Sequence, residues 1–459
     1  MRDAIVVGGG ISGLTVAFEL AGRGRSVRLY EASSRLGGVI RSERVDGFLL
    51  EHGPNTVLAT SGELTRLLGA VGLSERVQWG NEASSKRFVV RDGKLRPVPL
   101  SPPAFLATRL FRWRAKLRLL REPWIAPSAP DATESLADFV VRRLGPEFLD
   151  YAINPFVSGV YAGRPEELEV RTAFSKVWEL EQRYGSLIRG AVRGAKERKA
   201  REAAGEVAKD RARLFSFPDG NEELPLAIGR HLGDAARTGA EAATLEPVAG
   251  GWRVSGTAAG VPWSDEARAV VVAVPLAALR ALLPQPELAG LDEVPYPPMA
   301  VVFLGWRGEP GGRPRDGFGF LVPEKERRAM LGTLWNSTLF PGRCPEGGAA
   351  LTCFVGGRRN PDLAVLPDDA LLARVRADLS DLMGLQAAPD FVRISRYAEA
   401  IPQYTLGHAR RLEAVASFEA GHPGLYVGAN LVGGISVGDR IRQGATLAGR
   451  VDAGLPSVV

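Results

Sequence analysis

Three glycines near the beginning of the chain constrain its fold more than any other feature. They have the spacing Gly8-x-Gly10-x-x-Gly13 and lie between an apolar run, Ala4–Val7, and a helical pattern, Leu14–Arg23. The first glycine permits a tight turn, the second lets the backbone approach a pyrophosphate, and the third lets the helix pack against the strand. Free N–H groups at the beginning of the helix would face the phosphates. The pattern predicts a dinucleotide-binding unit.

A second strand and an acidic residue complete this unit. The strand covers Ser26–Tyr30 and leads into Glu31, 18 residues after the last glycine. A carboxylate at this position accepts hydrogen bonds from ribose hydroxyls and disfavours a 2′-phosphate, which argues against NADP. These residues leave FAD and NAD as alternatives. The dinucleotide contacts expected in this unit are Gly8, Gly9, Gly10, Ile11, Ser12, Gly13, Glu31 and Ala32.

Two further segments favour FAD by resemblance. They are Ser34-Arg35-Leu36-Gly37-Gly38-Val39-Ile40-Arg41-Ser42 and Glu51-His52-Gly53-Pro54-Asn55-Thr56. With them the chain resembles the amine oxidase/protoporphyrinogen oxidase superfamily of flavoproteins. In that superfamily the first segment lies along the FAD pyrophosphate, and the second passes near the isoalloxazine. The resemblance implies non-covalent FAD and contacts at Arg35, Gly37, Gly38, Val39, Gly53, Pro54, Asn55 and Thr56.

The C-terminal part of the chain contains one more strand and helix. Leu425–Val427 is a short apolar run, and Asp439–Val451 has a helical pattern with Asp439 as its expected N-cap. A helix N-terminus directed at the flavin would stabilise the negative charge of its reduced form. A glycine-rich loop before a terminal helix is the plainer alternative. The resemblance implies flavin contacts at Gly428, Ile435, Ser436 and Val437.

Strands of the dinucleotide unit, of Ala269–Val274 and of the C-terminal segment lie far apart in the sequence. They predict an α/β (α+β multidomain) fold with a discontinuous Rossmann-like FAD/NAD(P)-binding domain, a mixed-sheet substrate domain and a helical insertion. We expect residues 1–72, 214–286 and 398–459 to form the FAD-binding domain. Residues 73–98 and 287–397 would form the substrate-binding domain, and residues 99–213 a membrane-associating helical insertion.

The insertion contains an apolar and basic stretch, Phe105–Arg121. It carries six arginines and lysines, and its apolar residues at helical spacing are Leu106, Leu110, Trp113, Leu117 and Leu120. The pattern predicts a single amphipathic helix. Two placements remain open for it: on an anionic lipid surface, or packed against the core with a solvated basic face.

Four segments farther along the chain make the resemblance more specific: Gly93–Pro99, Asn154–Gly163, Gly317–Pro323 and Ile401–His408. With them the chain resembles oxygen-dependent protoporphyrinogen oxidases over almost its whole length. The resemblance implies a six-electron oxidation of protoporphyrinogen IX to protoporphyrin IX in tetrapyrrole biosynthesis. Three molecules of O₂ would be reduced to hydrogen peroxide.

The same resemblance implies four substrate contacts. Arg96 matches an arginine that pairs with a propionate, and Gly159 matches a glycine beside the reacting meso carbon. Leu321 and Phe340 match apolar residues that enclose a pyrrole ring. A guanidinium suits a carboxylate because it can donate two parallel hydrogen bonds. We assign no catalytic acid or base, since hydride transfer to a flavin depends mainly on positioning.

The chain departs from the family pattern at two positions. Ala409 stands where the family usually has an aromatic residue, and Gly220-Asn221 stands where it has two glycines. Since asparagine tolerates a left-handed backbone, we expect the second turn to be kept.

Other functions remain as alternatives. Coproporphyrinogen III, with four carboxylates in place of two, is the nearest, although a single matched arginine and an apolar opposite wall favour the dicarboxylate. Another oxidase or desaturase of the superfamily would need an aromatic cage or a long tunnel in place of Arg96. A non-catalytic flavin-binding protein is the last alternative.

Charge limits the partners of the chain. An excess of 58 Lys and Arg over 52 Asp and Glu gives a net charge of +6, which favours anionic partners. No nucleic-acid recognition motif occurs. We expect a porphyrinogen, O₂ and an anionic membrane surface as partners, leave a homodimer open, and expect no nucleic acid.

Cysteine and histidine usage argues against metal chemistry. Two cysteines and four histidines have no metal-ligand spacing, so we expect no metal and a reducing compartment. The chain leads from Met1 directly into a strand and lacks long apolar runs, so we expect neither a signal peptide nor a membrane-spanning helix. The expected location is the cytoplasm, peripheral on the inner face of the cytoplasmic membrane.

Overall fold

The computed structural model describes residues 1–194, 213–431 and 433–457. Its strands, in chain order, are β1 (Arg2–Val7), β2 (Val27–Tyr30), β3 (Ser42–Val45), β4 (Phe48–Glu51), β5 (Val57–Leu58), β6 (Gln78–Trp79), β7 (Phe88–Arg91), β8 (Lys94–Pro97), β9 (Leu214–Ser216), β10 (Ala236–Arg237), β11 (Ala240–Val248), β12 (Gly251–Ala258), β13 (Val261–Val272), β14 (Met299–Trp306), β15 (Gly319–Leu321), β16 (Met330–Leu334), β17 (Ala349–Gly356), β18 (Phe391–Tyr397) and β19 (Leu425–Val427).

The helices are α1 (Ile11–Gly22), α2 (Gly62–Ala70), α3 (Pro102–Ala107), α4 (Trp113–Arg118), α5 (Leu136–Arg143), α6 (Pro146–Phe148), α7 (Asn154–Tyr161), α8 (Val170–Ala173), α9 (Ser175–Tyr184), α10 (Glu223–Leu232), α11 (Leu276–Leu282), α12 (Asn336–Leu339), α13 (Pro361–Ala364), α14 (Asp368–Met383), α15 (His408–Gly421) and α16 (Val437–Ala453). Residues 187–194 are also helical. Part of the expected insertion, residues 195–212, lies outside the described residues.

The first large sheet has a parallel centre and an antiparallel edge. The parallel strands follow the order β10-β2-β1-β13-β19, and β11, β12 and β13 form an antiparallel meander. β13 belongs to both parts, because its first half pairs with β12 and its end pairs with β1 and β19. Parallel strands are covered on both faces, which explains why the last four residues of β1 are apolar and buried. The predicted Rossmann-like sheet, built from distant segments, is confirmed.

The second large sheet is mixed and follows the order β18-β14-β17-β16-β15-β7-β8. The β15–β7 pair is parallel, and the other neighbours are antiparallel. α14 covers one face, where Leu371 and Val375 pack in the same cluster as Leu351. On the opposite face, Val89 and Leu321 pack against the helical insertion. This second face is called the inner face below.

Two small elements connect the large sheets. The β3–β4 hairpin inserts Phe48 beside Phe303 and Phe391 of the second sheet, with ring centroids 6.2 and 5.3 Å away. In a three-stranded sheet, β9 pairs with both β5 and β6. The strand Gln78–Trp79 therefore pairs outside the second sheet, although it belongs to the segment assigned to the substrate domain. Residues of both halves of the molecule therefore pack or pair together in these two elements.

The prediction of a single helix over Phe105–Arg121 is wrong. The segment forms α3, α4 and a 3₁₀ turn at Leu119–Trp124. Between α3 and α4 the chain turns inward and buries Leu110. The helical stripe of the sequence is therefore divided between separate elements.

Side chains from other positions explain the break. Arg91 donates a hydrogen bond to the carbonyl of Leu110. Lys116 Nζ donates to the carbonyls of Leu106 and Thr108 at 2.7 Å each. A continuous helix would use these carbonyls for its own N–H groups, so long-range contacts override the local pattern.

Exposure of the remaining stripe residues settles their packing. Leu106, Trp113, Leu117 and Leu120 are between 52% and 71% exposed. The alternative in which this stretch packs against the core is therefore contradicted for these four residues. Within the described ranges, no helix has the length and apolar character needed to cross a bilayer.

The C-terminal helix begins earlier than predicted, and the predicted N-cap is wrong. Ser436 is the N-cap of α16, because its Oγ accepts a hydrogen bond from the N–H of Asp439 at 3.2 Å. The Asp439 carboxylate accepts one from the Ser436 hydroxyl at 2.6 Å. Serine followed three residues later by an acid is the capping-box spacing. Asp439 thus closes the first turn rather than preceding it.

A buried group of charges holds the insertion together. The side chains of Arg143, Glu122 and Glu181 are fully buried. Arg143 donates to Glu122 at 3.1 Å and also to Glu181. Glu122 in addition accepts the N–H of Leu187, at the beginning of the helical residues 187–194. The turn that carries the exposed Leu120 and Trp124 is therefore fixed by this ion-pair network through Glu122.

We expect Arg143→Met to lower the free energy of unfolding by about 3 kcal/mol, because it leaves the buried Glu122 carboxylate without its cation, whereas Glu181 keeps Arg142. Urea denaturation followed by tryptophan fluorescence measures this change. Arg253→Met is the matched control, since it removes an exposed pair with Glu266 and should cost less than about 1 kcal/mol. Equal stability of the two variants would contradict the role of the network.

Candidate functional site

The glycine loop between β1 and α1 is tightly packed at two positions and open at a third. A Cβ at Gly8 would lie 2.5 Å from the carbonyl oxygen of Ala273, and one at Gly13 would lie 2.0 Å from that of Gly8. Gly8 also has a φ of +109°. A Cβ at Gly10 would meet nothing within 4 Å among the described residues. The fold thus requires Gly8 and Gly13, whereas Gly10 leaves space beside the helix.

The beginning of α1 faces this space without a side-chain cap. Gly10 is the N-cap and offers no side-chain acceptor. The first N–H groups of a helix have no partner within it, and no hydrogen bond is described for those of Ile11, Ser12 and Gly13. Uncapped donors at the positive end of a helix favour a phosphate. The loop therefore fits the pyrophosphate of a dinucleotide.

The acidic residue after β2 lies beside the loop. Glu31 Oε2 accepts the N–H of Gly9 at 2.6 Å, and its Oε1 accepts the N–H of Ser33 at 2.8 Å. Ala32 and Val39 are exposed. This edge holds a fixed carboxylate next to accessible backbone.

The double-glycine turn folds over the loop. The N–H of Gly37 donates to the carbonyl of Gly9 at 2.8 Å, and a Cβ at Gly38 would lie 3.3 Å from the Cα of Gly10. Both glycines have positive φ, +108° and +57°. The Arg35 guanidinium donates to the carbonyl of Gly38, so it shapes this turn from within.

The segment that follows β4 extends from this turn to the N-terminus of α16. A Cβ at Gly53 would lie 2.1 Å from the carbonyl oxygen of Val39. At the other end, a Cβ at Gly438 would lie 2.8 Å from Thr60 Oγ1. Thr56 is half-buried between these points. The segment therefore lies between the first turns of α1 and α16.

α1 and α16 pack side by side in the same direction. A Cβ at Gly444 would lie 3.0 Å from the carbonyl oxygen of Ser12, and Arg25 pairs with Asp452 at 2.6 Å. Both N-termini therefore point to the same end of the molecule. Gly444 is the eighth residue of α16, whereas its neighbours Ser12 and Thr15 are the second and fifth of α1, so α16 begins about 5–9 Å farther along. The N-termini of α1 and α16 thus lie one after the other along a single path.

Residues assigned to the C-terminal flavin contacts lie on this path. Gly428 follows β19 and donates its N–H to the carbonyl of Val272 at 2.8 Å. Ile435 and Ser436 precede α16, and Val437 is its first residue. The structure brings them to the same end of the first sheet as the glycine loop.

The two departures from the family pattern are accommodated differently. The expected turn is kept, since the N–H of Gly220 donates to the carbonyl of Phe217 at 3.1 Å. Gly220 has a φ of +98°, whereas Asn221 does not adopt the left-handed backbone on which the expectation rested. Asn221 instead uses its amide, which donates to the carbonyl of Pro54 at 2.7 Å, and its N–H, which donates to Glu51 at 2.9 Å. Ala409 lies in the first turn of α15. Asn221 therefore fixes the segment after β4.

A buried ion pair lies behind that segment. Burial raises the pKa of Glu51 to about 7, and it outweighs the hydrogen bond from Ser42 and the charge of Arg343, which lower it. Arg343 Nη1 lies 3.5 Å from Glu51, and its guanidinium lies 5.1 Å from the centre of the Phe340 ring. Phe340 is thus buried at the junction between the hairpin and the second sheet.

Strand register places several residues in one row on the inner face. Arg96 pairs with Val89, Val89 with Leu321, Leu321 with Gly332, and Gly332 with Phe354. Paired residues share a sheet face. Because strands lie about 4.8 Å apart, Arg96 and Leu321 are about 10 Å apart along the row, and Phe354 lies about 10 Å beyond Leu321. The row has a cation at one end and apolar groups along the rest.

Helix α7 closes over this row. A Cβ at Gly159 would lie 2.3 Å from Leu321 Cδ2, so the helix backbone rests on the leucine. The structure brings Arg96, Gly159 and Leu321 to one face. No described contact joins Phe340 to them. Sequence reasoning does not identify Phe354, because alternation along its strand shows which residues share a face but not which strand lies beside it.

The Arg96 side chain is half-buried and incompletely paired. Its Nε is buried and has no hydrogen-bond partner among the described residues. A buried donor without a partner costs about 1–3 kcal/mol. A carboxylate bound on the inner face would supply an acceptor for this guanidinium.

Comparisons with known proteins agree with this geometry. The family model "flavin containing amine oxidoreductase" matches residues 11–451. Protoporphyrinogen oxidase 2 of Arabidopsis thaliana is 32% identical over 99% of this chain and 95% of its own length. Coproporphyrinogen III oxidase of Bacillus subtilis is 26% identical over 96% of both chains.

A solved structure from Exiguobacterium sp. 255-15 has the same fold. It superposes with a TM-score of 0.80 over 98% of both chains, at 24% identity. The family match covers nearly the whole chain, and the glycine loop, the uncapped helix and the open space at Gly10 fit the cofactor of that family. The chain belongs to the flavin-containing amine oxidoreductases and is an FAD-dependent oxidoreductase.

Proposed function

We propose that the chain oxidises protoporphyrinogen IX to protoporphyrin IX, removing six electrons and reducing three O₂ to hydrogen peroxide. The observation that carries this proposal is the unpaired Nε of Arg96 at one end of an otherwise apolar row. Such a row suits a flat ring system with carboxylates on one side. The name and full-length similarity of the Arabidopsis relative support the same substrate.

FAD would bind along the path between the two helix N-termini. Its pyrophosphate would lie at the glycine loop and α1, its ribose near Glu31, and its flavin near Asn55 and the beginning of α16. When bound, it supplies the electron acceptor of the reaction. The N–H groups of Val437 and Gly438, which Ser436 does not cap, would favour negative charge at that position, while Asp439 in the same turn offsets part of the helix dipole. The first sheet and its helices thus form the proposed FAD-binding domain.

The proposed substrate site lies on the inner face of the second sheet. Arg96 would bind a propionate, and the Gly159 backbone would leave room for a meso carbon. Leu321 and Phe354 would form the apolar wall, with Phe340 a proposed contact beside Arg343. No acid or base is assigned, because these residues bind, orient and exclude water.

We also propose a membrane contact for the insertion. Five large apolar side chains are exposed on α3, α4 and the following turn: Leu106, Trp113, Leu117, Leu120 and Trp124. Exposed arginines interleave with them: Arg109, Arg112, Arg114 and Arg121. Apolar and cationic groups together suit the surface of an anionic bilayer. The proposed location is the inner face of the cytoplasmic membrane, and a homodimer stays a prediction.

The first prediction from this site concerns Arg96→Ala. We expect substrate binding to weaken by about 1.5–3 kcal/mol, the size of a hydrogen bond to a charged group. The measurement is the KM for protoporphyrinogen IX, followed by porphyrin fluorescence. Lys94→Ala, an exposed cation on the same strand, should leave the KM unchanged. Turnover of coproporphyrinogen III alone would overturn the proposed substrate.

The second prediction concerns Gly10→Val. The protein has room for this side chain, so the fold should tolerate it, while the pyrophosphate would be blocked. We expect purified protein without bound flavin, measured as the ratio of absorbance at about 450 nm to that of the protein. Gly22→Val, which also meets open space at the other end of α1, should keep its flavin. A fully loaded Gly10→Val protein would refute the placement of FAD.

The third prediction concerns lipid binding. In flotation with vesicles of phosphatidylglycerol and phosphatidylcholine, we expect the wild-type protein to float at low salt and to float less at high salt, because salt screens the arginines. Leu117→Glu with Trp124→Glu should abolish flotation, since both changes place acids on the exposed patch. Val261→Glu, at an exposed valine of β13, is the control. Flotation of the double variant at the wild-type level would contradict the proposed contact.

A further inference from the structure

A chain of buried hydrogen bonds connects the second sheet to the proposed flavin segment. Thr352 Oγ1 donates to Asn336 Oδ1 at 2.8 Å, and Asn336 Nδ2 donates to Asn55 Oδ1 at 2.9 Å. Asn55 Nδ2 then donates to the carbonyl of Gly53 at 3.2 Å. Thr352, Asn336 and Asn55 are 0%, 4% and 8% exposed. None of these groups is needed to fill the core, since leucine or valine would occupy the same volume.

This series of hydrogen bonds begins on the inner face of the second sheet. Thr352 lies two residues before Phe354 on β17, so both side chains point to the same side. Thr333 of β16 pairs with Cys353, which packs on the α14 side. The connected groups therefore adjoin the row that ends in Arg96, whereas Thr333 lies on the opposite face.

The hydrogen bonds from Thr352 through Asn336 and Asn55 all have the same donor-to-acceptor direction. Each asparagine accepts with its oxygen and donates with its nitrogen, so turning the Asn336 amide over would place two oxygens against each other at Asn55. A buried acceptor without a donor costs about 1–3 kcal/mol. The Asn55 amide is therefore fixed with its oxygen towards the sheet. Its second N–H is used by no hydrogen bond described in the structure.

We propose that Asn336 is a positioning residue that orients the amide of Asn55 as a hydrogen-bond donor towards the flavin and the substrate. The inference rests on the proposed function, because it places Asn55 between the two binding regions. Asn336 itself touches neither ligand. Asn336 acts through Asn55, and its own orientation is fixed by Thr352.

The test compares Asn336→Leu, Asn336→Asp and Thr352→Val with Thr333→Val as the control. Asn336→Leu removes both hydrogen bonds, and Asn336→Asp keeps the acceptor but cannot donate to Asn55. The readouts are the Kd for FAD added to apoprotein, the positions of the flavin absorption bands, and kcat and KM for protoporphyrinogen IX.

For both Asn336 variants we expect FAD to bind about tenfold more weakly, with shifted absorption bands, as for the loss of one oriented hydrogen bond. The kcat should fall about tenfold while KM changes by less than about twofold, because Arg96 is untouched. Thr352→Val should show smaller effects in the same direction, and Thr352→Ser should restore them. If Asn336→Leu fails to fold, the two Thr352 variants carry the test.

Double variants separate positioning from general destabilisation. Asn55→Leu combined with Asn336→Leu should be no worse than Asn55→Leu alone, since the two residues act as one unit. Asn55→Leu combined with Thr333→Val should show additive effects. Wild-type FAD binding in the Asn336 variants, additivity of the asparagine pair, or an equal loss in Thr333→Val would each overturn the proposal. A wild-type protein that binds FAD but oxidises no porphyrinogen would refute the proposed function alone, since the FAD affinities still test the orientation of Asn55.

Discussion

The side-by-side packing of α1 and α16 is the constraint on which the rest of the site depends. Gly444 lets the two backbones approach, because any side chain there would meet Thr15 and the carbonyl of Ser12. The contact joins the second element of the chain to the last helix. It sets the N-termini of both helices at one end of the molecule: that of α1 has no side-chain cap, and that of α16 is capped by Ser436. In the proposed site, neither helix alone would reach both the pyrophosphate and the flavin of FAD.

Much of the first sheet could be predicted because its signals are local. The turn at Gly8, the close packing at Gly13 and the acid at Glu31 each follow from backbone sterics or charge at fixed spacing. The same holds for the strand Leu425–Val427, whose bounds are the predicted ones. Assigning FAD and a porphyrinogen needed the resemblance, because spacing alone does not distinguish the ligands of a dinucleotide fold.

The errors arise where long-range contacts decide the local structure. The stretch around Leu110 has a helical pattern, yet Arg91 and Lys116 bind the carbonyls that a helix would use. Lys116 belongs to the stretch itself, but Arg91 comes from β7, so a window over Phe105–Arg121 contains only part of the cause. The same applies to Asn336 and Asn55, which lie 281 residues apart and meet only in the folded chain. The element to which a residue belongs could often be predicted from the sequence. The elements that contact each other could not.

The distribution of charge on the inner face bears on which porphyrinogen fits. Protoporphyrinogen IX carries its two propionates on adjacent pyrroles, so one side of the ring is anionic and the other is apolar. Arg96 at one end of the row and Leu321 and Phe354 farther along match that division. Coproporphyrinogen III carries a propionate on every pyrrole and would bring a carboxylate against the apolar part of the row. Burying an unpaired carboxylate costs several kcal/mol, more than one arginine could offset at the far end. In the proposed site, the apolar part of the row would therefore disfavour the tetracarboxylate through the charge that it would add.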